Sequence, residues 1–239
     1  MALPEESSMD LFDIIGPIMI GPSSSHTAGA ARIGKITRLL LGVQPKEARV
    51  GLHGSFQKTY LGHGTDKAVI GGLLGMEVDD LRLRESLSLA KDAGLCYSFY
   101  NASLRDAHPN TLVLDVSDGK NRKVAVQAAS MGGGEIVIQL IDGLEAGFSG
   151  YENTMVITYR DTPGMIARMT GEIAASRLNI ATMRVFRRSV GGEALVVLEL
   201  DDAADEGLLR RLSALDGVFR MTYLPMRAHT RSLAGKEES

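Results

Sequence analysis

Cysteine occurs once in the 239 residues, at Cys96, and tryptophan not at all. One thiol excludes an internal disulfide, and it excludes a cysteine-ligated zinc or iron–sulfur cluster completed within this chain. A lone cysteine beside an apolar stretch reads as a small core residue, because free cysteine is among the most buried types. Charge of one sign is also scarce. The net charge is −3 and no Lys/Arg-rich run occurs, which argues against a nucleic-acid partner. No apolar run is long enough to cross a bilayer, so no membrane role is expected. Met1 to Asp10 is acidic and lacks the basic-then-apolar layout of a secretion signal, so the expected location is cytoplasmic. Hydrophobic residues make up 44%, enough to bury a core.

The glycine-bearing segment Gly143 to Tyr151 reads as a domain boundary. The expected organisation is a first domain over 1–146, a second over 152–225 and a polar tail over 226–239. In the first, Ser23 to Thr27 offers N-cap candidates for a helix carrying Ile33, Ile36 and Leu40 and stopping at Gly42. Val50 and Leu52 suggest a short strand. Thr65 or Asp66 is expected to cap a helix with Val69, Leu73 and Met76. Asp79 or Asp80 is expected to cap another with Leu83, Leu87 and Ala90, ending at Gly94. Leu112 to Val116 and Val124 to Ala128 alternate around Ser117-Asp118-Gly119-Lys120, a hairpin signal, and Glu135 to Ile141 suggests a further strand. Helices and antiparallel strands in separate blocks point to an α+β class.

The second half has a cleaner rhythm. Strands are expected at Thr154 to Tyr159, Asn179 to Phe186, Ala194 to Leu200 and Val218 to Leu224. One helix carries Ile166, Met169, Ile173 and Ala174, with Pro163 at its first turn, and another runs from Glu206 to Leu215. The order β-α-β-β-α-β is ferredoxin-like.

The polar motifs cluster in the first half. Gly21-Pro22-Ser23-Ser24-Ser25-His26-Thr27 puts hydroxyls and an imidazole at a helix start, an anion-friendly arrangement. It is neither a P-loop nor a nucleophile elbow. Four of the five histidines (His26, His53, His63 and His108) lie in this half, three of the four among Gly, Ser, Thr and Asn rather than in apolar periods, and His229 lies in the tail. Such placement suggests a shared site. None shows the i, i+4 helical zinc spacing, so no metal site is expected on this chain alone.

Asp161-Thr162-Pro163-Gly164 and Leu178-Asn179-Ile180-Ala181, at their spacing in the βαββαβ order, resemble the ACT family over about residues 152–225. Backbone N–H groups at a helix start and the Asn179 amide suit an amino-acid effector, which makes Asp161, Gly164, Asn179 and Ile180 candidate effector residues; the plainer reading has Asp161 cap the helix and Asn179 shape a turn. The first half resembles the beta-chain portion of iron–sulfur L-serine dehydratases. The residues that carry this are Gly21 to Thr27, Leu52-His53-Gly54-Ser55-Phe56, Thr59, Gly62-His63-Gly64-Thr65-Asp66, His108-Pro109-Asn110-Thr111 and Ser130-Met131-Gly132-Gly133-Gly134.

That resemblance implies a beta subunit working with a cysteine-rich alpha subunit that ligates a [4Fe–4S] cluster, together turning L-serine into pyruvate and ammonia. His63, then His26, is the expected proton-handling residue, the alternative being a base supplied by the partner subunit. Ser23, Ser24, Ser25, Thr27, Ser55, Thr65 and Asn110 are the expected substrate-binding residues. Self-association through ACT domains is also expected. The same portion is similar to the allosteric substrate-binding domain of some phosphoglycerate dehydrogenases. On that alternative the chain is a serine-sensing assembly subunit without a catalytic residue.

Overall fold

The computed structural model describes Gly21 and residues 23–225; Pro22, His229 and the tail expected over 226–239 lie outside the described residues. The chain divides into two compact units between Gly143 and Leu144, inside the glycine-bearing segment.

The first unit opens with a π-helical turn, Ser24–Ala28, that runs directly into helix α1, Gly29–Leu41. Gly42, in the left-handed region, ends α1 as expected. Strand β1 is Glu47–Leu52. It is followed by α2, Ser55–His63, and α3, Thr65–Leu73, a 3-10 turn at Leu81–Glu85, and α4, Ser86–Asp92. Then come β2 (Cys96–Asn101), β3 (Thr111–Ser117), β4 (Lys123–Gly132) and β5 (Glu135–Ile141); β6 (Leu144–Phe148) begins the second unit. Within the first unit the strand order is β2-β1-β3-β4-β5. β1 and β2 pair in parallel across the helical crossover; β1/β3, β3/β4 and β4/β5 are antiparallel. The core lies between this sheet and α1, whose Ile33, Ile36 and Leu40 are buried with Leu112, Leu114 and Ile138 of the sheet.

α1 and α3 pack closely because glycine meets backbone on both sides: a Cβ on Gly34 would stand 2.3 Å from the Val69 carbonyl oxygen, and one on Gly72 2.0 Å from that of Ala31.

Four local expectations are corrected. Thr65 and Asp66 do not cap α3 but lie within it, buried; the capping position falls to Gly64, whose left-handed φ of 69° breaks α2 from α3. α2 itself has little apolar contrast, burying only Phe56, and so left no periodic signal. Cys96 is exposed, not core, because it starts β2 at the sheet edge, where the burial pattern is irregular. Leu144–Phe148 is a strand rather than a turn; Leu144, Ala146 and Phe148 alternate to one buried side. Pro163 precedes its helix instead of lying in the first turn, since Gly164 at φ 86° is the N-cap.

The second unit holds β7 (Asn153–Arg160), α5 (Met165–Ala175), β8 (Ile180–Arg187), β9 (Glu193–Leu200), α6 (Glu206–Ser213) and β10 (Val218–Leu224). Its antiparallel sheet runs β10-β7-β9-β8, the expected ferredoxin-like order. Met165, Met169 and Ile173 of α5 and Leu208 and Leu212 of α6 pack on Met155, Ile157, Tyr159, Val196 and Leu198.

Candidate active site

The π turn at Ser24, the first residue of α2 (Ser55) and the last (His63) meet around His26. His26 joins the first two. Its backbone N–H donates to Ser23 Oγ (3.3 Å), and its Nδ1 lies 3.1 Å from the same hydroxyl and 3.3 Å from Ser25 Oγ. Ser23 Oγ accepts from the backbone, so its own proton is available to Nδ1. That assignment leaves the ring proton on Nε2, which donates to Ser55 Oγ at 3.0 Å. Burial, and then the neighbouring His63, lower the His26 pKa below its ordinary 6.5, so the ring is neutral at pH 7.

His63 ends α2 and stacks edge-on to His26, ring centroids 4.8 Å apart; Phe56 packs on His26 at 5.3 Å. Thr27 Oγ1 donates to the His63 carbonyl at 3.1 Å and ties the π turn to the end of α2. Both nitrogens of His26 are engaged, whereas His63 Nδ1 is buried with no partner among the described residues. Thr65 Oγ1, fully buried two residues on, is in the same condition, as are Asp66 Oδ1, Asn110 Oδ1 and Ser130 Oγ. Burial raises the Asp66 pKa, with backbone N–H groups of its own turn opposing the rise.

Asn110 reaches the site through its loop. Ser55 N–H donates to Pro109 O at 2.8 Å, and Ser130 N–H to Asn110 O at 2.9 Å. Ser24 supplies backbone rather than hydroxyl: its carbonyl accepts from Gly29 N–H.

The shared histidine site narrows to His26 and His63. His53 Nδ1 takes the N–H of Leu104 (3.3 Å), and His108 Nδ1 takes that of Asn110 (3.2 Å), so these two rings shape loops. Phe56 and Ser130 also belong to the site region, Phe56 against the His26 ring and Ser130 on Asn110 through its backbone N–H. Phe56 reads as plain core from sequence, and a lone serine in a strand carries no signal of its own.

The four candidate effector residues of the second unit fall into two pairs. Asp161 and Gly164 follow β7 at the sheet end marked by the Arg160–Glu193 pairing. Asn179 and Ile180 stand at the opposite end, where Ile180 pairs with Leu200. The eight residues of β8 separate them by about 25 Å. Asp161 does not cap α5. Its carboxylate takes the Arg187 guanidinium at 3.2 Å and Gly191 N–H at 3.4 Å, and the Asn179 amide donates to Asp201 at 2.6 Å.

The sequence was compared with known proteins. A family model described as serine dehydratase beta chain matches residues 7–94, and the ACT domain model matches residues 154–217. A protein named probable L-serine dehydratase, beta chain, from Bacillus subtilis (strain 168) is 40% identical over 212 residues, 89% of this chain and 96% of that one. The L-serine dehydratase, beta chain, of Peptoniphilus asaccharolyticus is 37% identical over 212 residues, 88% of this chain and 94% of that one. A D-3-phosphoglycerate dehydrogenase of Bacillus subtilis is 24% identical over 185 residues, 77% of this chain but 35% of that one.

Proposed function

Because the chain belongs to the family of L-serine dehydratase beta chains and carries an ACT domain, we propose that it is the beta subunit of a two-chain, cytoplasmic L-serine dehydratase. In the reaction L-serine loses its Cα proton and its β-hydroxyl, together one water. The aminoacrylate left behind hydrolyses to pyruvate and ammonia.

The residues of this chain do not fit an iron–sulfur cluster. Its single cysteine is exposed on an edge strand, and among the described residues no three His, Cys, Asp or Glu side chains gather to hold a metal. The cluster is therefore assigned to a cysteine-rich alpha subunit, and departure of the hydroxyl belongs to that partner. What this chain supplies is substrate binding and the proton side of the reaction.

The observation that carries this reading is the pairing of an engaged and an unengaged imidazole. Neutral His26, fixed by Ser23, Ser25 and Ser55, holds the site in shape. His63 Nδ1, buried beside it and unpartnered, takes the Cα proton. The hydroxyls of Ser55 and Thr65 offer donors to the carboxylate.

In the second unit, exposed Met183 and Val185 alternate along edge strand β8, which suits pairing with a second copy. An effector touching both Asp161/Gly164 and Asn179/Ile180 would have to bridge two such copies.

The test is co-expression of this chain with its cysteine-rich partner and an anaerobic pyruvate assay. His63→Ala is expected to lower kcat about 10²–10⁴-fold. Activity within a few-fold of wild type removes His63 from the mechanism, and pyruvate made by this chain alone overturns the two-chain reading. Similarity to D-3-phosphoglycerate dehydrogenase, an enzyme of another reaction, favours a second reading in which the chain only senses serine. On that reading, variants in the His26 region abolish regulation and leave the maximal rate intact.

A further inference from the structure

Ser130 lies in β4, is fully buried, and its Oγ has no hydrogen-bond partner among the described residues. Proteins seldom leave a buried hydroxyl unmet without a use for it. Its position is held from two sides. The backbone N–H of Ser130 donates to Asn110 O at 2.9 Å. Its hydroxyl lies against the start of α1, so closely that a Cβ on Gly29 would stand 2.1 Å from Oγ.

Gly29 belongs to the turn that carries His26, since its N–H donates to the Ser24 carbonyl. Ser130 thereby closes a circuit of contacts. From the π turn it passes through His26 to Ser55, from Ser55 N–H to Pro109 O, and from Asn110 O back to Ser130.

The circuit has two chemical sides. On one, Asn110 Oδ1 and Ser130 Oγ are unmet oxygens on residues bonded to each other through their backbones. An amide oxygen only accepts, and a serine hydroxyl can accept. On the other side, Ser55 Oγ is already accepting from His26, so its own proton is left to donate to a carboxylate. An α-amino acid has the complementary polarity, an ammonium that donates and a carboxylate that accepts.

We propose that Ser130, together with Asn110, receives the α-ammonium group of the substrate, which makes Ser130 a specificity residue that separates α-amino acids from analogues lacking the amine. This rests on the reading that the site takes L-serine, and it adds which end of the substrate faces which wall.

The experiment uses the co-purified two-chain protein and calorimetric binding of L-serine and of 3-hydroxypropionate, which keeps the carboxylate and hydroxyl but lacks the amine. Ser130→Ala is expected to weaken L-serine binding about ten-fold or more and to leave 3-hydroxypropionate binding within two-fold. Because Ser130 Oγ has no hydrogen-bond partner among the described residues, the same variant is expected to keep the wild-type melting temperature. Equal weakening of both ligands, no weakening of L-serine, or a melting temperature that falls with the binding overturns the assignment. A wild-type complex that binds L-serine without making pyruvate overturns the dehydratase reading alone, and the Ser130 comparison still decides this one. A wild type that binds no L-serine overturns both.

Discussion

The Nε2 of His26 lies 3.0 Å from the Oγ of Ser55, and that one hydrogen bond joins segments 29 residues apart in sequence. It makes Ser55 the acceptor that selects the His26 tautomer. Ser55→Ala leaves a half-buried N–H without its partner and lets the ring turn. Steady-state pyruvate assays on the two-chain protein are expected to show kcat/KM about ten- to a hundred-fold lower, in line with about 1–3 kcal/mol for an unmet buried donor. A loss under two-fold would mean the bond is incidental.

Stability should fall on the acid side of neutrality through His26. Its folded pKa lies below the ordinary 6.5, so as pH drops the unfolded chain takes up this proton first and the folded state is progressively disfavoured. The window opens at about 6.5 and extends downward to the folded value. Urea denaturation between pH 7.5 and 5 is expected to show a shallower pH slope for His26→Gln than for wild type. Identical slopes would dismiss the effect.

The α1–α3 contact depends on the absence of side chains. Gly72→Ala would push a methyl group to 2.0 Å from the Ala31 carbonyl oxygen, which is backbone and cannot swing aside. A loss of about 3 kcal/mol is expected in chemical denaturation. Gly171→Ala is the control: it lies within α5 with nothing within 4 Å of the added Cβ, and it is expected to gain about 0.5–1 kcal/mol. Equal effects from the two substitutions would refute the packing account.

Cys96→Ser should leave the iron content and the pyruvate-forming rate of the two-chain protein unchanged, since Cys96 is an exposed side chain at the head of β2. Loss of iron in this variant, measured by metal analysis after anaerobic purification, would place a cluster ligand on this chain.

Legibility from sequence followed the strength of the local signal. α1 and the whole βαββαβ unit were readable because apolar residues recur there at 3.6 or 2.0 spacing between clear stops. α2 was not, because it buries a single side chain and rides on its neighbours. β2 was not, because an edge strand with exposed Cys96 alternates weakly. Within the site, hydroxyls and imidazoles in Gly- and Ser-bearing turns marked Ser23, Ser25, His26, Thr27, Ser55 and His63, and these meet.

Residue types and short-range spacing therefore determined the strongly periodic elements, the family, and that one thiol cannot complete a cluster within this chain, since each depends on composition or on neighbours a few positions apart. Only the tertiary structure decided that His26 is saturated while His63 is not, that Ser130 closes the circuit with Asn110, and that Asp161 and Asn179 stand at opposite ends of one sheet. Those are relations between residues far apart in sequence, and they exist only once the helix starts and strands have packed.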